Sequence, residues 1–245
     1  MKFTLSSIFS ACFLLVACCA VAQDKGAAAP QDKKKDSAKA LVVEVPAGLR
    51  IGTDLSRIAM HFFQPYRTDA TITLDARYRD RIFFASDISW NRTSHSDTLY
   101  NYKGNGIAIS LGVNYNLLKK QVPKENFMLF AGMKYGFALF NYELPKYEVP
   151  GSYWGDYQGS LASSTKTAHW VEVSVGMKVE VLKNFYLGWS IQDRLLLTKK
   201  ISKGDYPPMV IPGFGKGNKG NVFDMQYTIS YLLPMWKVKQ KMSLP

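Results

Sequence analysis

Three histidines and one glycine-rich segment carry the residue types that could do chemistry: His61, His95, His169 and Gly213-Phe-Gly-Lys-Gly-Asn-Lys-Gly220. Hydrolysis needs a base held beside a nucleophile or a bound water. His95 has Ser94, Ser96 and Asp97 beside it, but four residues in one short stretch do not define the geometry of a triad. His61 and His169 fall near predicted strand ends on the same side and are the pair that could approach each other. A metal site needs more convergent ligands than these positions supply. The glycine-rich segment lacks the Gly-Lys-Ser/Thr ending and the helix of a phosphate loop, so it reads as a mobile loop. No catalytic residue, metal ligand or cofactor is assigned, and the chain reads as a non-enzyme.

The charged residues are more regular. Arg50, Asp54, Asp75, Arg77, Asp87, Lys134, Glu172, Lys178, Glu180, Arg194 and Asp224 all stand at polar positions within alternating segments. Between Trp170 and Leu182, Val171, Val173, Val175, Met177, Val179 and Val181 alternate with Glu172, Ser174, Gly176, Lys178 and Glu180. Period two is the signature of a strand with one apolar and one polar face, whereas a helix would scatter these residues around its axis. Ile107 to Leu117 and Phe223 to Leu233 repeat the pattern. Weaker versions occur over 71–78, 82–91, 127–139 and 185–194. A first strand over 49–62 changes phase near Ser56-Arg57, which a β-bulge would explain.

That makes eight strands. The connections Arg79-Asp80-Arg81, 119–126 and Lys183-Asn184 are short, while 92–106, 143–168 and 199–221 are long. Only the join near Gln64-Pro65-Tyr66-Arg67 is short where a long one is expected. An even strand count with alternating short and long joins predicts an all-β, eight-stranded antiparallel up-and-down transmembrane β-barrel. A soluble barrel also alternates, but several strands reach the roughly 9–11 residues needed to cross a bilayer. Two aromatic girdles are expected. Tyr78, Phe84, Tyr115, Phe127, Phe185 and Trp236 form one on the turn side; Trp90, Phe137 and Trp170 form the other on the loop side. No helix is predicted to cover the barrel. Its bore is just wide enough to be filled by side chains, so the eleven charges are expected to pair into a closed interior rather than line a pore.

The N-terminus sets the compartment. Lys2, the apolar run 8–16 and Ala20-Val-Ala22 before Gln23 make a secretory signal cleaved between Ala22 and Gln23. Leu15-Val-Ala-Cys18 is an alternative lipidation site at Cys18. All three cysteines lie in this region, which leaves the mature chain without a disulfide framework. The predicted organisation is signal 1–22, flexible periplasmic linker 23–47, barrel 48–236 and basic periplasmic tail 237–245. The net charge of +12 is scattered over the linker, one loop and the tail, a distribution that points away from nucleic acid and towards acidic lipid head groups.

The opening strand Gly48-Leu-Arg-Ile-Gly-Thr-Asp-Leu-Ser-Arg57, the long glycine-containing strands and the Ala-Gln signal end resemble small outer-membrane barrel proteins of Bacteroidota, in a family of unknown function. The resemblance covers 48–233 and implies residence in the cell outer membrane, with outer-membrane lipid and, during insertion, the barrel-assembly machinery as partners. It carries over no catalytic residue. The extension Lys237 to Pro245 departs from barrels that end on a terminal aromatic. The function expected is a structural or interaction component of the envelope, in a secretion or assembly complex, with Tyr147, Tyr153, Trp154 and Tyr157 as loop contacts to an envelope protein partner. A narrow channel or small-ligand conduit is the alternative, and a lipid-modifying enzyme a weaker third.

Overall fold

A computed structural model describes residues 41–118, 127–152, 155–204 and 206–242. The signal, the cleavage site Ala22/Gln23, Cys18, linker residues 23–40, Tyr153 and Trp154 lie outside the described residues. Eight long strands form one antiparallel closed ring. In chain order they are β1 (Leu41–Asp54), β2 (Arg67–Arg77), β3 (Ile82–Ser96), β4 (Tyr100–Asn116), β5 (Met128–Ser152), β6 (Gly155–Leu182), β7 (Phe185–Leu196) and, after a small hairpin β8–β9 (Val210–Ile211, Gly215–Lys216), β10 (Asn221–Met242). Neighbours in the ring follow chain order, and β1 closes it by pairing with both β2 and β10.

The alternation seen in the sequence becomes an inverted distribution of polarity. Ile107, Ile109, Leu111, Val113 and Tyr115 of β4 are exposed on the outer wall, while Ser110 and Asn114 between them are buried inside. The same holds for Val173, Val175 and Met177 against Glu172, Ser174 and Lys178 of β6. Closure removes the free strand edges that an open sheet would expose.

Several expectations are corrected. The phase change at Ser56-Arg57 is no bulge but a helix, α1 (Leu55–Phe63). Asp54 caps it by accepting the Ser56 N–H at 2.9 Å, so the chain leaves the ladder there instead of kinking within it. The β1–β2 connection is therefore a helix plus a turn on the long-loop side, and the apparent irregularity in loop lengths disappears. A helix does stand at the barrel mouth. The strand boundary at residue 48 also shifts: Leu41 to Ala47 pair with Met242 to Trp236, so part of the expected linker and tail is strand. The long joins 92–106 and 143–168 are mostly strand as well. β3 and β4 run on to a turn at 97–99, and β5 and β6, at 25 and 28 residues, project as a hairpin far beyond the roughly 9–11 residues a crossing needs. Trp170 is wholly buried inside the ring and is no part of a girdle; Trp90, Tyr78, Phe84, Tyr115 and Trp236 are on the outer wall.

Candidate functional site

The interior charges come from facing positions on successive strands, which the register brings side by side: Lys134 opposite Glu172, and Glu172 opposite Arg194. The Lys134 ammonium meets Asp87 and, at 3.0 Å, Glu172 Oε1. Glu172 Oε2 accepts from Arg194 Nε at 2.7 Å. Arg194 Nη1 reaches Asp224 Oδ2 at 2.8 Å, and Asp224 in turn meets Arg57 of α1. Arg57 Nε lies 3.4 Å from Asp54. Seven side chains thus alternate in sign from Asp87 on one wall to Asp54 at the mouth. Lys178 and Asp75 form a separate pair. Between the two groups lies a polar cavity of about 20 Å³, lined by Asp75, Asp87, Lys134, Ser174 and Lys178 among others, with room for about one water.

Not every predicted charge joins the chain of ion pairs. The Arg50 guanidinium stands over the rings of Phe83 and Tyr186, 4.9 and 5.2 Å from their centroids, and donates to the Met128 sulfur. Arg77 turns to Asp80 at the β2–β3 turn. Glu180 is half-buried at the β6–β7 turn, where it accepts the Asn184 N–H at 2.6 Å; Asn184 holds the left-handed φ of 65° that the turn requires. These three brace the turn end. Arg57 was missed by the sequence reading, because a strand reading of 49–62 gives it no inward direction. The Asp-x-x-Arg opening of a short amphipathic helix is the signal that marks it.

Above the ion pairs the mouth is plugged. Val210-Ile211-Pro212-Gly213-Phe214-Gly215 folds as the β8–β9 hairpin, with Ile211 and Phe214 wholly buried against Trp170, Phe140, Tyr102 and Leu196. The Phe214 and Trp170 ring centroids are 5.9 Å apart. Arg194 Nη1 also donates to the Phe214 carbonyl at 3.2 Å, so one guanidinium ties the ion pairs to the plug. The segment read as a mobile loop is an ordered stopper. Its glycines serve a turn: Gly213 has φ +69°, and a Cβ there would stand 2.9 Å from that of Ala108. A second glycine makes the plug's floor possible, since a Cβ on Gly136 would fall 2.0 Å from the Trp170 indole.

The histidines do not meet. His61 Nδ1 is bonded to the Arg67 carbonyl, His95 lies between the rings of Tyr66 and Tyr100, and His169 Nδ1 is 2.8 Å from the Tyr135 hydroxyl on the outer wall. Of the loop contacts, Tyr147 joins Tyr157 and Tyr206: its ring centroid is 6.2 and 5.3 Å from theirs, and the Tyr206 hydroxyl donates to that of Tyr147 at 3.0 Å. Buried Tyr102 lies under the plug, where desolvation pushes its phenol up to about 12.

The family described as "Domain of unknown function (DUF6048)" matches residues 4–238. The chain belongs to that family. No curated protein matches it. Among solved structures it is similar to the N-terminal β-barrel domain of Pseudomonas aeruginosa OprF, at 12% identity over 78% of this chain and 100% of that one, with a TM-score of 0.37. It is similar to Ail, the attachment invasion locus protein of Yersinia pestis, at 7% identity, 77% and 97% coverage and a TM-score of 0.38. Neisserial surface protein A gives 11%, 79% and 99%, and 0.37. The strand ring and its polarity define the fold of this DUF6048 chain, whatever these distant likenesses add.

Proposed function

We propose that this DUF6048 protein is an outer-membrane barrel of a Gram-negative bacterium that serves the envelope as a non-enzymatic interaction component. In this reading it is exported on its signal and inserted by the barrel-assembly machinery, with its termini in the periplasm. An origin in the Bacteroidota, implied by the opening strand, belongs to the same proposal. One observation carries it: on β3, β4 and β5 the outer wall is apolar as far as the row Trp90–Ile107–Leu139 and polar at the next two outward positions of each strand, while on β4 and β5 the aromatic residues Tyr102, Phe140 and Tyr142 are buried inside. Water on both sides would give no reason for such a switch, whereas a bilayer edge requires it.

The lumen supports a scaffold over a conduit. Paired charges fill it, the cavity holds about one water, and Phe214 stops the mouth. Contact then falls to the projecting β5–β6 hairpin with Tyr147 and Tyr157, and to Tyr206 of the β7–β8 connection packed against Tyr147, aromatic side chains of the kind that anchor interfaces. The test is cross-linking in intact cells. An envelope protein captured by the native chain and lost with Tyr147→Ala/Tyr157→Ala supports the reading. No reproducible partner, or a steady conductance in planar bilayers, would count against it.

A further inference from the structure

Immediately beyond the apolar band, the outer wall of β3 to β6 carries an open groove of about 430 Å³. Its composition changes row by row. Trp90, Ile107 and Leu139 end the apolar band. Two residues further along each strand, about 7 Å at strand rise, stand Arg92, Asn105 and Asn141, and then Ser94, Lys103 and Glu143. All six of these polar residues line the groove, with Trp90 at its lower edge. Among the described residues, neither Arg92 nor Lys103 has a carboxylate within salt-bridge distance, although Glu143 faces Lys103 across the β4–β5 register. Two exposed cations therefore project from adjacent strands of the wall, where the head groups of the adjoining leaflet would lie on the membrane reading.

We infer that this groove binds the phosphate of a glycolipid headgroup, with Arg92 and Lys103 as its cationic ligands. The inference rests on the membrane reading above. A guanidinium and an ammonium suit a phosphate, and each charge-assisted bond adds strength. Asn105, Asn141 and Ser94 offer amide and hydroxyl groups to the sugar hydroxyls beside it. Trp90 provides the interfacial ring on which the first acyl carbons rest. Glu143 narrows the choice, because it disfavours a second close phosphate in the same groove.

The test uses the full chain in mixed micelles and measures equilibrium binding of a bisphosphorylated acylated disaccharide. Arg92→Gln/Lys103→Gln is expected to weaken binding about tenfold. Arg92→Lys/Lys103→Arg should retain it. Lys199→Gln/Lys200→Gln, which removes the same charge elsewhere on the loop end, should leave it unchanged. Unaltered binding in the first variant, equal loss in the Lys199/Lys200 variant, or equal binding of the dephosphorylated disaccharide would each overturn the site. Competition by inorganic phosphate as effective as by the lipid would overturn the lipid assignment. Heat-dependent gel mobility of the same samples reports folding separately. A native chain that shows no mobility shift refutes the membrane reading, while a shifted variant that still binds lipid refutes only the groove.

Discussion

At the level of Lys134, Glu172 and Arg194 the ring holds charges inside and valine, isoleucine and leucine outside. A few residues along the same strands it holds Tyr102, Phe140 and Tyr142 inside, and Arg92, Lys103 and Asn141 outside, with Trp170 at the boundary. The antiparallel ladder continues through both regions, with register shifts only beyond Lys103 and Tyr142, so the difference lies in which face carries the apolar side chains. In the lower region the hydrophobic gain comes from outside and the interior can be polar, provided that each charge has a partner. On the membrane reading proposed above, water returns to the outer wall in the upper region, and the mouth builds an ordinary apolar core, for which the β8–β9 hairpin supplies Ile211 and Phe214. Arg194 spans the two, bonded to Glu172 and Asp224 below and to the Phe214 carbonyl above.

The sharpest way to break this contrast is to unbalance the lower region. Glu172→Ala leaves Lys134 and Arg194 without their shared carboxylate, and removing one partner of a buried pair costs about 3–5 kcal/mol. Urea unfolding in detergent, followed by gel mobility, should show the unfolding free energy of the whole ring fall by that amount, with the midpoint moving to lower urea. Phe214→Ala tests the upper region. Loss of a buried phenylalanine costs about 3 kcal/mol, and the effect should be local: proteolysis within 199–220 accelerates while the barrel's mobility shift survives. If it instead unfolds the barrel as fully as Glu172→Ala does, the two regions are one cooperative unit.

Gly136→Ala should fall between the regions and below both in size. Its methyl would press on the Trp170 indole, and overpacking of this kind costs about 1–3 kcal/mol. Tryptophan fluorescence should shift with the mutation, and a second change, Trp170→Phe, should recover part of the loss.

The lower region was readable from sequence because a pleated strand puts successive side chains on opposite faces, so Val171 to Val181 declare the wall and Glu172 to Glu180 the lumen. Which charge meets which was not readable. Lys134 reaches Asp87 on another strand because of the register, a property of pairing that no local pattern encodes. The upper region was misread for a different reason. Near the mouth both faces mix polar and apolar residues and the alternation fades, so the ends of β3 to β6 looked like loop. Val210 to Gly215 is too short to show a period, and its glycines imitate a phosphate loop while serving a turn. Nine residues of helix after β1 passed for a bulge because the apolar residues of α1 continued the strand's composition.

The smallest expected effect uses pH to separate the regions. The Tyr102 phenol is raised from 10.0 to about 12 by burial under the plug, so in the folded state it stays neutral after the unfolded phenol has ionised. Its contribution is complete below pH 10 and is lost as pH rises through about 12, since folding must then bury a charge or take up a proton. Protease cleavage within 199–220 should therefore accelerate between pH 10 and 12, with the gel mobility shift of the ring as the control. Tyr102→Phe removes the titrating hydroxyl. It should flatten the part of that alkaline rise that Tyr102 causes, at the cost of a small constant loss from its contacts with the backbone of Met209 and Val210. A rise identical in both proteins would assign the alkaline loosening to other groups and leave the plug's hold on the mouth to packing alone.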